Sequence, residues 1–278
     1  MAEWSRETLW RQGLFLEDKS IDKYNLRSEE FPEKTVVIMA SHDCDLPQPP
    51  SIEPYFEVIV GRYIDHLDGA CTFTKSPRKL HIEIQTLEGQ KFVEFIAKDK
   101  HRIDKNHLPE IIPNLNLQLD VDSLREFKRW LSVRYSRSSF ANAFETRLKS
   151  HKLDKGIAKI LQKHGELITG IFFEVDESQE IKHISPEDTY LLDITILYST
   201  NSDPNAAEVA AQEASDAITK LFKTKLFNSI NRAWKEIELR FCDVISDEAL
   251  TYKQSTQLKL WRLDYISLAE DPPHPIIE

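Results

Sequence analysis

The chain has 278 residues, of which 41% are hydrophobic, and a formal net charge of −10 at pH 7. This length suffices for one large domain or two ordinary domains with packed cores. No run of 18 uncharged apolar residues occurs, and the charged N-terminus lacks an apolar stretch, so we expect neither a membrane span nor a secretory signal. Three scattered cysteines are typical of a reducing cytoplasm.

Glycine is scarce, with 7 residues where average usage would give about 19. Loops that cradle phosphates need glycine for close backbone approach, and neither G-x-x-x-x-G-K-[ST] nor G-x-G-x-x-G occurs. The patterns G-x-S-x-G, H-E-x-x-H and C-x-x-C are absent from the sequence as well. These absences argue against a dinucleotide cofactor and against the common hydrolase and zinc sites.

Residues 1–100 predict a β-rich unit, either a small barrel or a curled sheet. The β-branched run KTVVIMAS (34–41) is typical of a strand buried on both faces, and YFEVIVGRYI (55–64) predicts a second strand. RKLHIEIQTL (78–87) alternates apolar and polar residues and therefore predicts a half-buried strand. GQKFVEFIAK (89–98) follows as its predicted hairpin partner.

The middle of the chain changes from strand to helix patterns. Residues 101–121 contain two prolines and predict a connector. Residues 122–167 predict a basic helical segment, whose start we place at a capping box formed by Ser123 and Glu126.

Residues 168–278 predict an α+β unit of ββα type, so the whole chain is expected to be an α+β protein. Two antiparallel strands, a long alanine-rich helix and two further strand-like segments are expected in this order. Their ranges are 168–176, 189–200, 203–227, 237–246 and 258–268.

Positive charge is concentrated in residues 125–163, which contain eleven lysines and arginines and three acidic residues. The segment therefore carries +8, and the remaining chain carries −18. Guanidinium groups bind phosphates bidentately, and the interleaved aromatic residues could stack on bases. The predicted nucleic-acid-binding residues are Arg129, Arg134, Arg137, Arg147 and Lys149. The alternative is that these charges pair with carboxylates of the same chain or of a partner protein.

The strand end at residues 42–45 holds the densest group of reactive residue types. Cys44 would act as a nucleophile if an imidazole lowered its thiol pKa. His42 lies two residues away on the same side of the strand, where parallel side chains seldom hydrogen-bond, so His66 or His81 is the better base. The plainer interpretation is that Cys44 packs as a small hydrophobe, while Asp43 and Asp45 accept hydrogen bonds from turn amides.

A divalent metal is a second interpretation of the same region. Phosphodiester hydrolysis by a metal ion needs carboxylates that converge from neighbouring strands. If the protein is a nuclease, the expected catalytic residues are His42, Asp43, Cys44, Asp45, Glu57, His66 and Glu83. The alternative is that these carboxylates and imidazoles are solvated side chains without a common ligand.

Three stretches carry a resemblance: VVIMASHDCDL (36–46), RWLSVRYSRSSFANAFETRL (129–148) and KLWRLDYISL (259–268). Together they resemble a class of uncharacterised bacterial proteins with an S-[HQ]-x-C-D-[LI] motif at a strand end. Some related-looking proteins of this class lie beside restriction or phage-defence genes. The resemblance implies a bacterial cytoplasmic setting and a defence role, and it transfers no catalytic residue.

Three functions follow from the sequence. The leading one is a bacterial defence-type or toxin-like protein that contacts nucleic acid through the basic helices, with phosphodiesterase activity if the strand end is catalytic. The second is a non-catalytic subunit that binds a partner protein through complementary acidic and basic surfaces. The third is a cysteine hydrolase that uses Cys44.

Overall fold

The structure, a computed structural model, describes residue 4 and residues 7–133, 140–176, 188–201, 203–251 and 259–261. The chain divides into two compact units. Unit 1 comprises Met1–Leu67 and Pro77–Tyr135, and unit 2 comprises Asp68–Ser76 and Ser136–Glu278. The predicted α+β class is confirmed, because each unit combines helices with a β-sheet. No described helix combines the length and apolar character that crossing a membrane requires.

Unit 1 contains a six-stranded antiparallel sheet. Its elements are β1 (Phe15–Leu16), α1 (Asp18–Lys23), β2 (Thr35–Met39), β3 (Tyr55–Ile64), β4 (Lys79–Thr86), β5 (Gly89–Asp104), β6 (Pro113–Asn114) and α2 (Val121–Val133). The strand order is β4-β5-β3-β2-β1-β6. The predicted strands β2, β3 and β4 and the β4–β5 hairpin are confirmed. The first four residues of the predicted connector continue β5.

The central strands of this sheet are buried on both faces, as the continuous apolar run of β2 predicts. Val37 and Val58 pack in one hydrophobic cluster, on the face that carries the N-terminal segment. Ile38 packs in a second cluster on the opposite face, together with Phe127 and Trp130 of α2. The alternation of side chains along a strand thus divides the core of unit 1 into two layers.

The sheet of unit 1 is curled, and over the described residues it does not close into a barrel. One isolated bridge joins the chain after β6 to the β4 edge, where the Gln85 and Gln118 backbones exchange hydrogen bonds of 2.8 and 3.0 Å. Of the two predicted forms, the curled sheet is therefore the one observed.

The helix α2 begins three residues earlier than the capping box predicts. The Asp120 carboxylate accepts a hydrogen bond of 2.7 Å from the Ser123 backbone N–H, and Val121 is the first helical residue. Asp120 therefore caps the helix, and the prediction of a cap at Ser123 is wrong. An aspartate that accepts from the third helical N–H satisfies a donor that has no partner within the helix.

Unit 2 contains a four-stranded mixed sheet. Its elements are α3 (Asn142–Ser150), α4 (Leu153–His164), β7 (Ile168–Val175), β8 (Tyr190–Tyr198), α5 (Pro204–Leu226), β9 (Phe227–Asn228), β10 (Ala233–Trp234), β11 (Ile237–Ser246) and β12 (Lys259–Leu260). The sheet order is β11-β8-β7-β12, and the short strands β9 and β10 pair separately. The predicted antiparallel pair β7–β8 and the helix α5 are confirmed.

The strand β11 pairs parallel to β8, so α5 is the crossover helix between them. Alanines and larger apolar residues of α5 are buried at helical spacing in the core of unit 2, among them Ala211, Ala214 and Ile218. Of the strand-like segment predicted at 258–268, Lys259–Leu260 is a strand, and residues 262–268 lie outside the described part. The predicted basic segment 122–167 is divided, with α2 in unit 1 and both α3 and α4 in unit 2.

Candidate nucleic-acid interface

The strand end after β2 forms a turn in which backbone groups are paired. The Asp45 backbone N–H donates to the His42 carbonyl at 2.9 Å. The Ser41 hydroxyl is buried and accepts a hydrogen bond of 2.7 Å from the Glu57 backbone N–H. These contacts fix the course of the chain after β2 and place Glu57 beside the turn.

Asp43 connects two other parts of unit 1 through its carboxylate. One oxygen accepts from the Gln12 backbone N–H at 2.7 Å, and the other accepts from the Lys128 ammonium at 3.2 Å. Burial raises the pKa of Asp43, but the Gln12 hydrogen bond and the Lys128 charge outweigh burial and hold the pKa below its ordinary value. The ionised carboxylate thus connects the N-terminal segment to α2.

Cys44 is exposed in this turn, and no hydrogen bond joins its thiol to an imidazole within the described part of the chain. The His42 ring accepts from the Cys44 backbone N–H at 3.2 Å. His81, an alternative base, hydrogen-bonds through Nε2 to the Glu94 carboxylate at 2.9 Å. The nucleophile and base that a cysteine hydrolase needs are therefore not paired in this structure.

Glu94 is buried between an imidazole and a guanidinium on neighbouring strands. His81 contacts one carboxylate oxygen at 2.9 Å, and Arg62 contacts the other at 2.8 Å. Burial raises the pKa of Glu94, but the hydrogen bond with His81 and the Arg62 charge overcome burial, and the net pKa is lowered. Both partners lie directly opposite Glu94 in the strand register, so this cluster is a cross-strand polar contact.

Two other predicted catalytic residues, His66 and Glu83, lie at the other end of the sheet from the turn. His66 is exposed after the end of β3, and Glu83 lies opposite Phe92, the residue that also faces Ile64. From Glu57 to Ile64 is seven residues along β3, a distance of about 23 Å. His66 and Glu83 are therefore not brought together with the residues of the 42–45 turn.

Glu57 is already paired with cations, and Glu83 accepts a hydrogen bond from the Gln90 side chain. The Glu57 carboxylate contacts Lys100 at 2.5 Å and Arg102 at 3.2 Å. Over the described residues, no group of three or more His, Cys, Asp or Glu side chains is placed to hold a metal ion. The predicted carboxylates Asp43, Glu57 and Glu83 each have partners within unit 1.

Arg147 of α3, predicted to bind phosphate, is only 9% exposed, and its side chain contacts other residues of unit 2. Its guanidinium donates to the Asp188 and Glu236 backbone carbonyls, and it lies 4.9 Å from the centroid of the Tyr190 ring. A side chain that is buried among these groups cannot reach a phosphate backbone. Arg147 is therefore removed from the predicted interface.

The other predicted interface residues differ from one another. Arg129 is exposed on α2, and its guanidinium has no ion pair with any described residue. Lys149 lies 3.7 Å from Glu145, one turn earlier on α3. Arg134 and Arg137 lie outside the described residues. Trp130, one of the aromatic residues proposed to stack on bases, is 2% exposed and belongs to the core of unit 1.

The clearest exposed positive surface in the described structure lies on α4, and we name it the α4 lysine face. Its members are Lys152, Lys155, Lys159 and Lys163, and all four are exposed. Lys152 immediately precedes the helix, and Lys155 lies three residues after it. Lys159 and Lys163 follow at intervals of four residues, and this spacing places the lysines on one side of the helix. None of the four has an ion pair with a described carboxylate.

The helix α5 lies beside this face. A Cβ atom added to Gly156 would lie 2.5 Å from a methyl group of Leu221, so the missing side chain lets the two helices approach closely. His164 contacts Glu213 at 3.1 Å, which shows that the helices run antiparallel. Lys220, two turns after Glu213 on the same side of α5, is exposed and extends the positive surface.

This lysine spacing could have been recognised in the sequence. Lysines at i, i+4 and i+8 with no acidic residue between them repel one another on a helix. Arginines near aromatic residues predict a phosphate site more directly, because guanidinium groups bind phosphates bidentately. Which of those arginines are exposed depends on packing, and residue type alone does not show it.

Comparison with known proteins gives no assignment: no protein-family model, no curated protein and no solved structure matches the chain.

Proposed function

We propose that the protein binds nucleic acid through the α4 lysine face. The observation that carries this proposal is a set of four exposed lysines on one side of α4 with no ion-pair partner among the described residues. Lysine ammonium groups attract phosphates, and the release of condensed counterions supplies most of the affinity for a nucleic-acid backbone. The proposal assigns binding to this face and no catalytic step.

The repulsion between the lysines of this face supports a ligand-binding role. Two like-charged pairs, Lys155 with Lys159 and Lys159 with Lys163, each destabilise an isolated helix by about 0.2–0.5 kcal/mol. The helix would be more stable with a glutamate among these positions, and it has none on this face. An anionic ligand that neutralises the lysines would remove this repulsion.

The charge of the rest of the chain would help to orient such a ligand. Outside residues 125–163 the chain carries −18, which repels a polyanion from most of the surface. We propose a cytoplasmic setting, since all three cysteines are free thiols. The defence role is a further part of the proposal, and it depends on the sequence resemblance alone.

The test is a binding titration with a labelled oligonucleotide, followed by fluorescence anisotropy. The variant Lys155→Gln/Lys159→Gln/Lys163→Gln removes three charges from α4. The matched control Lys19→Gln/Arg232→Gln/Lys235→Gln removes three exposed cations outside α4 and α5 that also lack described ion-pair partners. We expect the α4 variant to lose most of its affinity at low salt, and the control to bind like the unmodified chain.

Equal affinity of the α4 variant and the unmodified chain would contradict the proposal. The interaction-subunit interpretation would then gain support if the α4 variant failed to co-purify with an acidic partner protein. Arg129→Gln is a useful third variant. Arg129 is predicted from the sequence to bind nucleic acid, and it is exposed without a described ion pair. A loss of affinity in that variant alone would move the interface to α2.

A further inference from the structure

We infer that the α4 lysine face binds the outside of a duplex through its phosphates and reads no base sequence. This inference rests on the proposed function and specifies its ligand. It follows from three features of unit 2: the width of the surface that carries the lysines, the types of side chain exposed on it, and the spacing of the charges.

The first feature is the width of the surface. The contact between Gly156 and Leu221 places α4 and α5 side by side. Two packed helices have axes about 8–10 Å apart and a diameter of about 10–12 Å each, so together they are about 20 Å wide. The major groove is about 12 Å wide and admits a single helix. The pair of helices is wider than the groove, which favours contact of the α4 lysines with the phosphate backbone over insertion of α4 between the strands.

The second feature is the chemistry of the exposed side chains. Binding to single strands relies on aromatic side chains that stack on bases. The aromatic residues of α3 and α5, Phe144 and Phe222, are both buried in the core of unit 2. The Gln162 amide, which could hydrogen-bond to a base, instead donates to Asp68 at 3.4 Å. The described face therefore offers point charges without a stacking platform.

The third feature is the spacing of the lysines. From Lys152 to Lys163 the chain advances eleven residues, or about 16 Å along the helix axis. A duplex carries one phosphate charge per about 1.7 Å of its axis, twice the density of a single strand, so it offers a phosphate near each ammonium. Four neutralised phosphates correspond to a slope of about −3.6 in a plot of log affinity against log salt for a duplex.

The experiment measures the affinity of the full chain for two short duplexes of unrelated sequence and for one single strand of the same length. Affinities are compared between about 50 and about 200 mM salt. We expect the two duplexes to bind within about twofold of each other, and affinity to fall about 150-fold over this salt range, as four phosphate contacts require. Each single Lys→Gln change on the face should reduce the steepness of the slope by about 0.9.

The outcomes separate the inference from the proposal on which it rests. A preference of tenfold or more for one duplex sequence, or tighter binding of the single strand, overturns the inference while nucleic-acid binding stands. Absence of binding to all three oligonucleotides at low salt, or binding that the α4 variants do not change, overturns the proposed function itself. Lys152→Gly serves as an additional variant, since Lys152 has a φ of 57° that glycine adopts without strain. It removes a charge without placing a poorly suited residue at that position.

Discussion

Arg147 and the α4 lysines come from the same basic stretch of sequence, and the structure uses them in opposite ways. Arg147 is buried, where it binds backbone carbonyls and lies over an aromatic ring. The lysines of α4, the next helix in the chain, are exposed and have no described ion-pair partner. The net charge of a segment therefore does not predict a binding surface. Each cation must be tested for partners within the chain.

The first prediction concerns the buried arginine and has the largest expected effect. Arg147→Ala should lower the free energy of unfolding by about 3 kcal/mol, because two backbone carbonyls lose their buried donor and the stacking on Tyr190 is lost. Urea denaturation of the full chain measures the change. The control is Arg129→Ala on the exposed surface of α2, which should change stability by less than about 0.5 kcal/mol. Equal effects of the two substitutions would contradict the distinction between internal and exposed cations.

The second prediction extends the comparison to a buried carboxylate. Glu94→Gln should lower the free energy of unfolding at neutral pH by about 2 kcal/mol, because Arg62 and His81 lose their ionic partner. The folded-state pKa of Glu94 is lowered, so its contribution is complete above the ordinary value of 4.5 and is lost as pH falls through the folded-state value.

Denaturation at several acidic pH values checks this dependence. The unmodified chain should lose more stability than Glu94→Gln as the pH falls below about 4.5, so the two curves should converge. Parallel curves would show that the pKa of Glu94 is not lowered in the folded chain.

The third prediction tests whether the 42–45 turn is structural. Asp43→Ala should destabilise the chain by about 1.5 kcal/mol, because the Gln12 backbone N–H and Lys128 lose their acceptor. Cys44→Ala, next to it, removes an exposed thiol with no described hydrogen bond and should change stability by less than about 0.5 kcal/mol. Thermal unfolding of the two variants distinguishes them. A Cys44 variant as unstable as the Asp43 variant would reverse this interpretation of the turn.

The fourth prediction has the smallest effect and the opposite sign. Lys155→Gln/Lys159→Gln/Lys163→Gln should raise the free energy of unfolding by about 0.5 kcal/mol at low salt, because two repulsive pairs are removed. Glutamine and lysine have similar helix propensities, so the backbone preference is unchanged. High salt screens the repulsion and should abolish the gain. A destabilised variant would indicate that these lysines have carboxylate partners after all.

Much of the fold could be predicted from the sequence because the elements depend on local patterns. The alternation of apolar and polar residues in β4 and the β-branched run of β2 each predict a strand. These predictions do not depend on the position of the strand in the fold. The alanine-rich composition of α5 and Pro204 in its first turn predict a helix that begins there. The start of α2 was misplaced because both Asp120 and Ser123 are good caps, and only the backbone course decides between them.

The candidate site was far less predictable, because a site depends on which distant residues meet. His66 and Glu83 lie in the same β-rich half of the sequence as the 42–45 turn, and this proximity along the chain predicts a shared site. The antiparallel register places them at the opposite end of β3. The same limit applies to Arg147, whose partners Asp188 and Glu236 follow it by 41 and 89 residues.

By itself, the sequence determined the α+β class, the principal strands, the long helix α5 and the excess of positive charge in residues 125–163. These properties depend on residue preferences and periodicities over a few residues. Only the tertiary structure decided that β11 joins β8 in parallel, that Asp43 and Arg147 serve as internal ties, and that the lysines of α4 face solvent. The physical reason is that burial and pairing are set by contacts between residues far apart in the chain, and no local pattern encodes them.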